Sequence, residues 1–91
     1  MRFEWNDTKA ELNVLAHGIT FEEAVTVFAD PYLQFTEDAN HSQGEAREWA
    51  IGEVENGSIV VVVFTMRAKQ IRIISARKAT KRECQRYESG I

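Results

Sequence analysis

The sequence predicts an α+β domain, an antiparallel sheet with two N-terminal helices packed together on it and a short C-terminal helix. Three observations carry that prediction. Ile59 to Phe64 is a run apolar on both faces, which belongs in the middle of a sheet. Two turn signals, Asn56-Gly57 and Arg67 to Gln70, fold the flanking segments into consecutive hairpins. Two T-x-x-E capping boxes, Thr20 with Glu23 and Thr80 with Glu83, start helices on either side of the strands.

The elements follow in order. Arg2 to Trp5 reads as a short edge strand, after which Asn6 or Asp7 caps a helix running to about His17 and closed by Gly18. Leu12, Leu15, Ala16 and Ile19 form its expected buried stripe. At about 100° per residue, Asn6, Lys9, Asn13 and His17 fall beside that stripe, on the border between core and solvent. Behind Thr20, the residues Phe21, Ala24, Val25 and Phe28 recur at helical spacing, and Asp30-Pro31 ends this second helix. Tyr32 to Thr36 reads as a strand and Glu37 to Gly44 as a polar loop. Arg47 to Glu55 and Ser58 to Met66 pair across a two-residue type I′ turn at Asn56-Gly57. Ile71 to Arg77 returns from Arg67 to Gln70, and Thr80 opens a helix through about Glu88.

The 91 residues fit one domain spanning 1–91. One cysteine, Cys84, forms no internal disulfide and suits a reducing compartment, where a half-buried apolar role fits it better than a nucleophilic one. No stretch approaches a membrane span and the N-terminus lacks a signal peptide's apolar core, so the expected location is the cytoplasm, with no membrane partner. His17 and His41 stand far apart without ligand-spaced neighbours, so neither a metal nor another cofactor is expected. Phe21, Phe28, Trp49 and Phe64 fall on predicted buried faces, leaving Trp5 and Tyr87 as candidate stacking groups.

Charge is distributed unevenly. Arg67 to Ile91 carries eight Lys or Arg against two Glu, a balance of +6, while residues 1–66 carry three basic and twelve acidic side chains, a balance of −9. A basic surface facing a polyanion, on a chain otherwise acidic, explains that split. Five of the eight cations are Arg, whose planar fork offers phosphate two parallel hydrogen bonds. The hairpins gather Arg47, Arg67, Lys69 and Arg72 at one end of the sheet and Arg77, Lys78 and Lys81 at the other, with Arg72 and Arg77 on opposite faces of a regular strand. Guanidinium groups converging from neighbouring strands on one scissile linkage would stabilise a pentacoordinate phosphorane. For proton transfer, His17 is the classical candidate, with Lys9 two turns earlier on the same stripe.

Four stretches resemble the BrnT-type toxins of bacterial type II toxin–antitoxin pairs, small ribonucleases similar in fold to RelE-like toxins. They are F-E-W-N-D-T-K-A at Phe3 to Ala10, H-G-I-T-F-E-E-A at His17 to Ala24, F-A-D-P at Phe28 to Pro31, and I-R-I-I-S-A-R-K-A-T-K-R-E from Ile71 with R-Y following. The resemblance implies a ribonuclease that inhibits translation and growth by metal-independent cleavage. Carried over by position, the family's recurrent polar residues fall on Lys9, His17, Arg67 and Arg77, which would be catalytic, with Arg72 in the same closing motif; of the basic patch read from the hairpins, Lys69, Arg72, Lys78 and Lys81 are expected to bind RNA. The resemblance also implies a cognate BrnA-like antitoxin that binds the toxin in a hetero-oligomer and alone contacts operator DNA. Asn6 stands where the family usually has Asp, and Met66 where an acidic residue commonly accompanies the turn. The same basic tail would also serve a non-catalytic RNA- or phosphate-binding module, or an antitoxin-interaction subunit.

Overall fold

The computed structural model describes residues 2–37 and 46–90. His41 and most of the predicted polar loop lie outside them. The strands are β1 (Arg2–Glu4), β2 (Gln34–Glu37), β3 (Glu48–Glu53), β4 (Ile59–Arg67) and β5 (Gln70–Lys78), and the helices α1 (Asp7–His17), α2 (Phe21–Val25) and α3 (Lys81–Ser89). They form one sheet in the order β1-β5-β4-β3-β2, antiparallel except for β1, which runs parallel to β5. The apolar run of β4 occupies the central strand, as its two-sided burial requires.

The local start and stop signals act as expected. Asn6 caps α1 by accepting from the Lys9 N–H at 3.0 Å, and Gly18 closes it at a φ of 71°. Thr20 caps α2, and Thr80 with Glu83 forms the reciprocal capping box of α3. The second helix is shorter than its spacing suggested: it tightens into a 3-10 helix at Thr26–Ala29. There the Thr26 hydroxyl donates to the Glu23 carbonyl at 2.7 Å and accepts from the Glu55 N–H at 3.2 Å, and such side-chain competition with the backbone tightens a helix end.

Both hairpins close one residue or more away from the predicted turns. Around Asn56-Gly57 the Val54 N–H bonds the Ser58 carbonyl and the Gly57 N–H bonds the Val54 carbonyl, leaving a three-residue loop with only Gly57 at positive φ, 91°. Asn56 instead uses its side chain, donating to Glu23 and accepting from the Ser58 N–H. The ladder therefore pairs Glu48 with Phe64, one step from the predicted register. The two-residue turn with both φ positive lies in the other hairpin, at Ala68 (47°) and Lys69 (70°), between the paired Arg67 and Gln70.

One face of the sheet carries the core. Phe21, Ala24 and Val27 meet Ala50, Val60, Val62, Phe64, Ile71, Ile73 and Ala76 there, with Phe3, Trp5 and Phe28 packed against them. Trp5 lies edge-on to Phe21 at 5.8 Å, so it is a packing residue and not a stacking group. The orientation of α1 departs most from expectation. Leu12 and Leu15 are 58% and 83% exposed and Ala16 is also exposed, whereas Asn13 is buried at 6%. Beyond β1 the edge of β5 has no strand partner, and Asn13 takes that place: its amide donates to the Ala76 and Ile19 carbonyls and accepts from the Ala76 N–H. Satisfying three buried backbone groups outweighs covering two leucines.

Candidate functional site

A β-bulge decides which face each arginine occupies. Val63 pairs with Ser75 but Phe64 pairs with Ile73, so Ile74 is an extra residue in β5. Ile71, Ile73 and Ala76 all reach the core as a result, and Arg72, Ser75 and Arg77 all lie on the sheet's second face. This overturns the expectation that Arg72 and Arg77 point to opposite sides, because the inserted residue reverses the alternation between them. In β4 the same alternation turns Val61, Val63, Thr65 and Arg67 to the second face. In β3 it turns Trp49 there, since Ala50 and Gly52 face the helices; the assignment of Trp49 to the core is therefore corrected.

The short helix α3 lies over one end of this face without burying any residue fully. Its contacts are polar. Gln34 donates to the Tyr87 carbonyl at 3.1 Å, and the Tyr87 hydroxyl donates to Asp30 Oδ2. Burial and the Asp30 hydrogen bond push the Tyr87 hydroxyl up to about 12. Asp30 also accepts from the Glu53 and Tyr32 N–H groups; burial works to raise its pKa, and these hydrogen bonds together outweigh that and hold it below the usual carboxylate value. Tyr87 is thus an anchor for α3 and not a stacking group.

Arg77 is the most constrained cation. Its two terminal nitrogens donate to Glu83 Oε1 and Oε2 at 2.7 and 2.9 Å, one of them also reaches the Lys78 carbonyl at 3.3 Å, and the guanidinium carbon sits 5.4 Å from the Trp49 ring centroid. Those hydrogen bonds hold the Glu83 carboxyl down at about 2 against the opposing effect of burial, and raise the Arg77 pKa. At the other end of β5, Arg72 pairs with Glu4 of β1 at 2.8 Å. With the bulge taking up one residue, Arg72 and Arg77 pair with Thr65 and Val61, four positions apart on β4, so at about 3.3 Å per residue they stand roughly 13 Å apart along the strand, too far for one phosphate. Convergence on a single linkage does not hold; the two arginines serve different points along one face.

The remaining candidates lie around this pair. Arg67 and Lys69 stand at the β4–β5 turn, near the Arg72 end, and Lys78 and Lys81 are exposed at the α3 start, near Arg77. Lys9 and His17 are exposed on α1, and their side chains make no hydrogen bond or ion pair among the described residues. They do share a stripe with Asn13, one turn to either side, and Asn13 is bonded to the β5 edge at Ala76, next to Arg77. Trp49 and Glu83 are the site residues that sequence reasoning missed. The capping box singled out Glu83 as a helix starter, and its spacing from Arg77 was the only available hint of a second role. Among the described residues no three His, Cys, Asp or Glu side chains cluster as metal ligands, and no helix is long and apolar enough to cross a membrane.

Comparison with known proteins supplies a family. Residues 5–83 match the family described as the ribonuclease toxin, BrnT, of type II toxin–antitoxin systems. The fold is similar to the crystal structure of the Brucella abortus ribonuclease toxin BrnT, with a TM-score of 0.67 at 23% identity over 89% of this chain and 99% of that one. No curated protein sequence matches this one.

Proposed function

Because the chain belongs to the BrnT family of ribonuclease toxins of type II toxin–antitoxin systems, we propose that it cuts RNA laid along the second face of its sheet, with Arg77 at the scissile phosphate. It is a ribonuclease toxin, and a cognate antitoxin is its partner. The observation that carries the site is the bulge at Ile74, which puts Arg72 and Arg77 on one face with Arg67 and Trp49. Phosphates of a single RNA strand would meet Arg67, Lys69 and Arg72 at one end, and Arg77, Lys78 and Lys81 at the other, each cation positioning a different group.

In the metal-independent reaction we propose, the RNA's own 2′-hydroxyl attacks the adjacent phosphorus. The O2′–P bond forms and the P–O5′ bond breaks, leaving a 2′,3′-cyclic phosphate and a 5′-hydroxyl. Arg77 stabilises the extra charge on the phosphorane. His17 takes the proton from O2′ as the base, with Lys9 as the alternative, and water gives a proton to the departing O5′. The stripe that these residues share with Asn13 supports the assignment, since Asn13 holds it against the strand that carries Arg77. The setting is the cytoplasm, where the toxin inhibits translation and growth until a BrnA-like, DNA-binding antitoxin covers it in a hetero-oligomer.

The test is incubation of the purified protein with RNA in EDTA, with analysis of the product ends. Cyclic phosphate and 5′-hydroxyl termini are expected. Arg67→Ala and Arg77→Ala each relieve growth arrest with the fold intact, and His17→Ala reduces cleavage by a smaller factor. Cleavage lost in EDTA overturns the metal-free chemistry, and intact RNA under wild-type protein favours a binding role alone.

A further inference from the structure

We infer that Arg77 is held as a preformed phosphate fork, with Glu83 and Trp49 as the residues that position it. A guanidinium has five N–H donors in one plane, grouped as an end-on pair, a side-on pair and one pointing back toward its own chain. The end-on pair is taken by the two oxygens of Glu83, and the Lys78 carbonyl accepts from the nitrogen that also bonds Oε1. What remains is the side-on edge, Nε–H with the second N–H of the nitrogen bonded to Oε2. These are two parallel donors, the geometry that grips two oxygens of one phosphate. Trp49 covers a face of the plane and Glu83 fixes its rotation, so the edge that is left points one way only.

Glu83 can do this because α3 holds it in turn. Its Oε1 accepts from the Thr80 N–H at 2.8 Å within the capping box, and the far end of the helix is tied down by Tyr87 to Asp30 and by Gln34 to the Tyr87 carbonyl. A free arginine loses most of its rotamer freedom when it closes on a phosphate; here that freedom is removed before RNA arrives. The carboxylate therefore acts as a strut and not as a competitor for the phosphate seat. It meets the end-on edge, and the substrate meets the side-on edge.

This rests on the reading of Arg77 as the phosphate-contacting group, and one series of full-length variants separates the two. Cleavage of a mixed-sequence RNA, with kcat and KM read separately, is compared for wild type, Glu83→Gln, Thr80→Ala, Arg77→Ala and the double variant Glu83→Gln/Arg77→Ala, with growth arrest on induction as a parallel readout that also covers a ribosome-dependent reaction. Glu83→Gln is expected to lower kcat by at least about tenfold with KM nearly unchanged, the signature of a misaligned transition-state contact. Thr80→Ala removes the hydroxyl that accepts from the Glu83 N–H but keeps the Thr80 N–H to Oε1 and the Arg77 pair, so it is expected to lower the melting temperature and to lower kcat less than Glu83→Gln. The double variant is expected to be no worse than Arg77→Ala, because Glu83 acts only through Arg77. Wild-type or raised activity in Glu83→Gln overturns the positioning role, as does an equal loss in Thr80→Ala. Wild-type activity in Arg77→Ala overturns instead the reading on which it rests.

Discussion

One face of the sheet carries Val62, Phe64, Ile71 and Ile73 beneath Phe21 and Val27, whereas the other carries arginines, Trp49 and a helix with no fully buried residue. The covered face is held by area removed from water, which is non-directional and tolerates exchange of one aliphatic group for another. The second face is held by directed contacts, Arg77 to Glu83, Arg72 to Glu4 and Tyr87 to Asp30, each partly open to solvent and each worth little to stability. Most of the buried apolar area therefore lies on one side and the proposed chemistry on the other, so the proposed site should be alterable without unfolding the domain. The β5 strand joins the two, supplying Ile71, Ile73 and Ala76 to the core and Arg72 and Arg77 to the open side.

Breaking the second face alone should produce the largest functional loss. Arg77→Ala is expected to reduce cleavage about 10²–10³-fold, the usual consequence of removing one preorganised charge-stabilising donor, while urea denaturation shows a stability change within about 1 kcal/mol. A large fall in stability would mean that the two faces are not separable. Breaking their junction should do the reverse. Asn13→Ala strips partners from the Ala76 N–H and carbonyl and from the Ile19 carbonyl, and is expected to cost about 2–4 kcal/mol in urea titration, with cleavage falling less than in Arg77→Ala when the variant is held folded at low temperature.

A pH titration of stability sharpens the contrast further. The Glu83 carboxyl is depressed from its ordinary 4.5 to about 2 in the folded protein. Its contribution is fully present above pH 4.5 and is lost as pH falls toward 2. The melting temperature of the wild type should drop through that window, and Glu83→Gln should show a shallower drop there. The smallest effect belongs to a turn on neither face. Ala68 holds a φ of 47°, which a residue with a Cβ adopts at a cost. Ala68→Gly is expected to raise stability by about 0.5–1 kcal/mol, measured by the urea midpoint, with cleavage unchanged.

How much of this was legible in the sequence depended on the range of the interaction. The Asn6, Thr20 and Thr80 caps were readable because donor and acceptor lie three residues apart, although the Glu23 carboxylate goes to Asn56 and leaves the Thr20 box half made. The central position of β4 was readable because its own residues are apolar on both sides. The Asn56-Gly57 hairpin was readable as a turn but not in its register, since Asn56 has an alternative use, bonding Glu23 thirty-three residues away. Of the site, the arginines and lysines were visible by type. Trp49 looked like core because an aromatic residue in a strand usually is, and Glu83 was already explained by the helix it starts.

The chain by itself determined where the helices begin, where the strands turn and that a basic segment follows an acidic one, because those properties are set by neighbours within a few residues. Tertiary structure alone decided which way the segments face. The bulge at Ile74 depends on how β4 pairs with β5, and the rotation of α1 depends on a hydrogen-bond partner sixty-three residues from Asn13. Neither leaves a mark on the local hydrophobic period, because an unpaired strand edge exists only once the sheet has formed and can then outbid two leucines for the inner side of a helix.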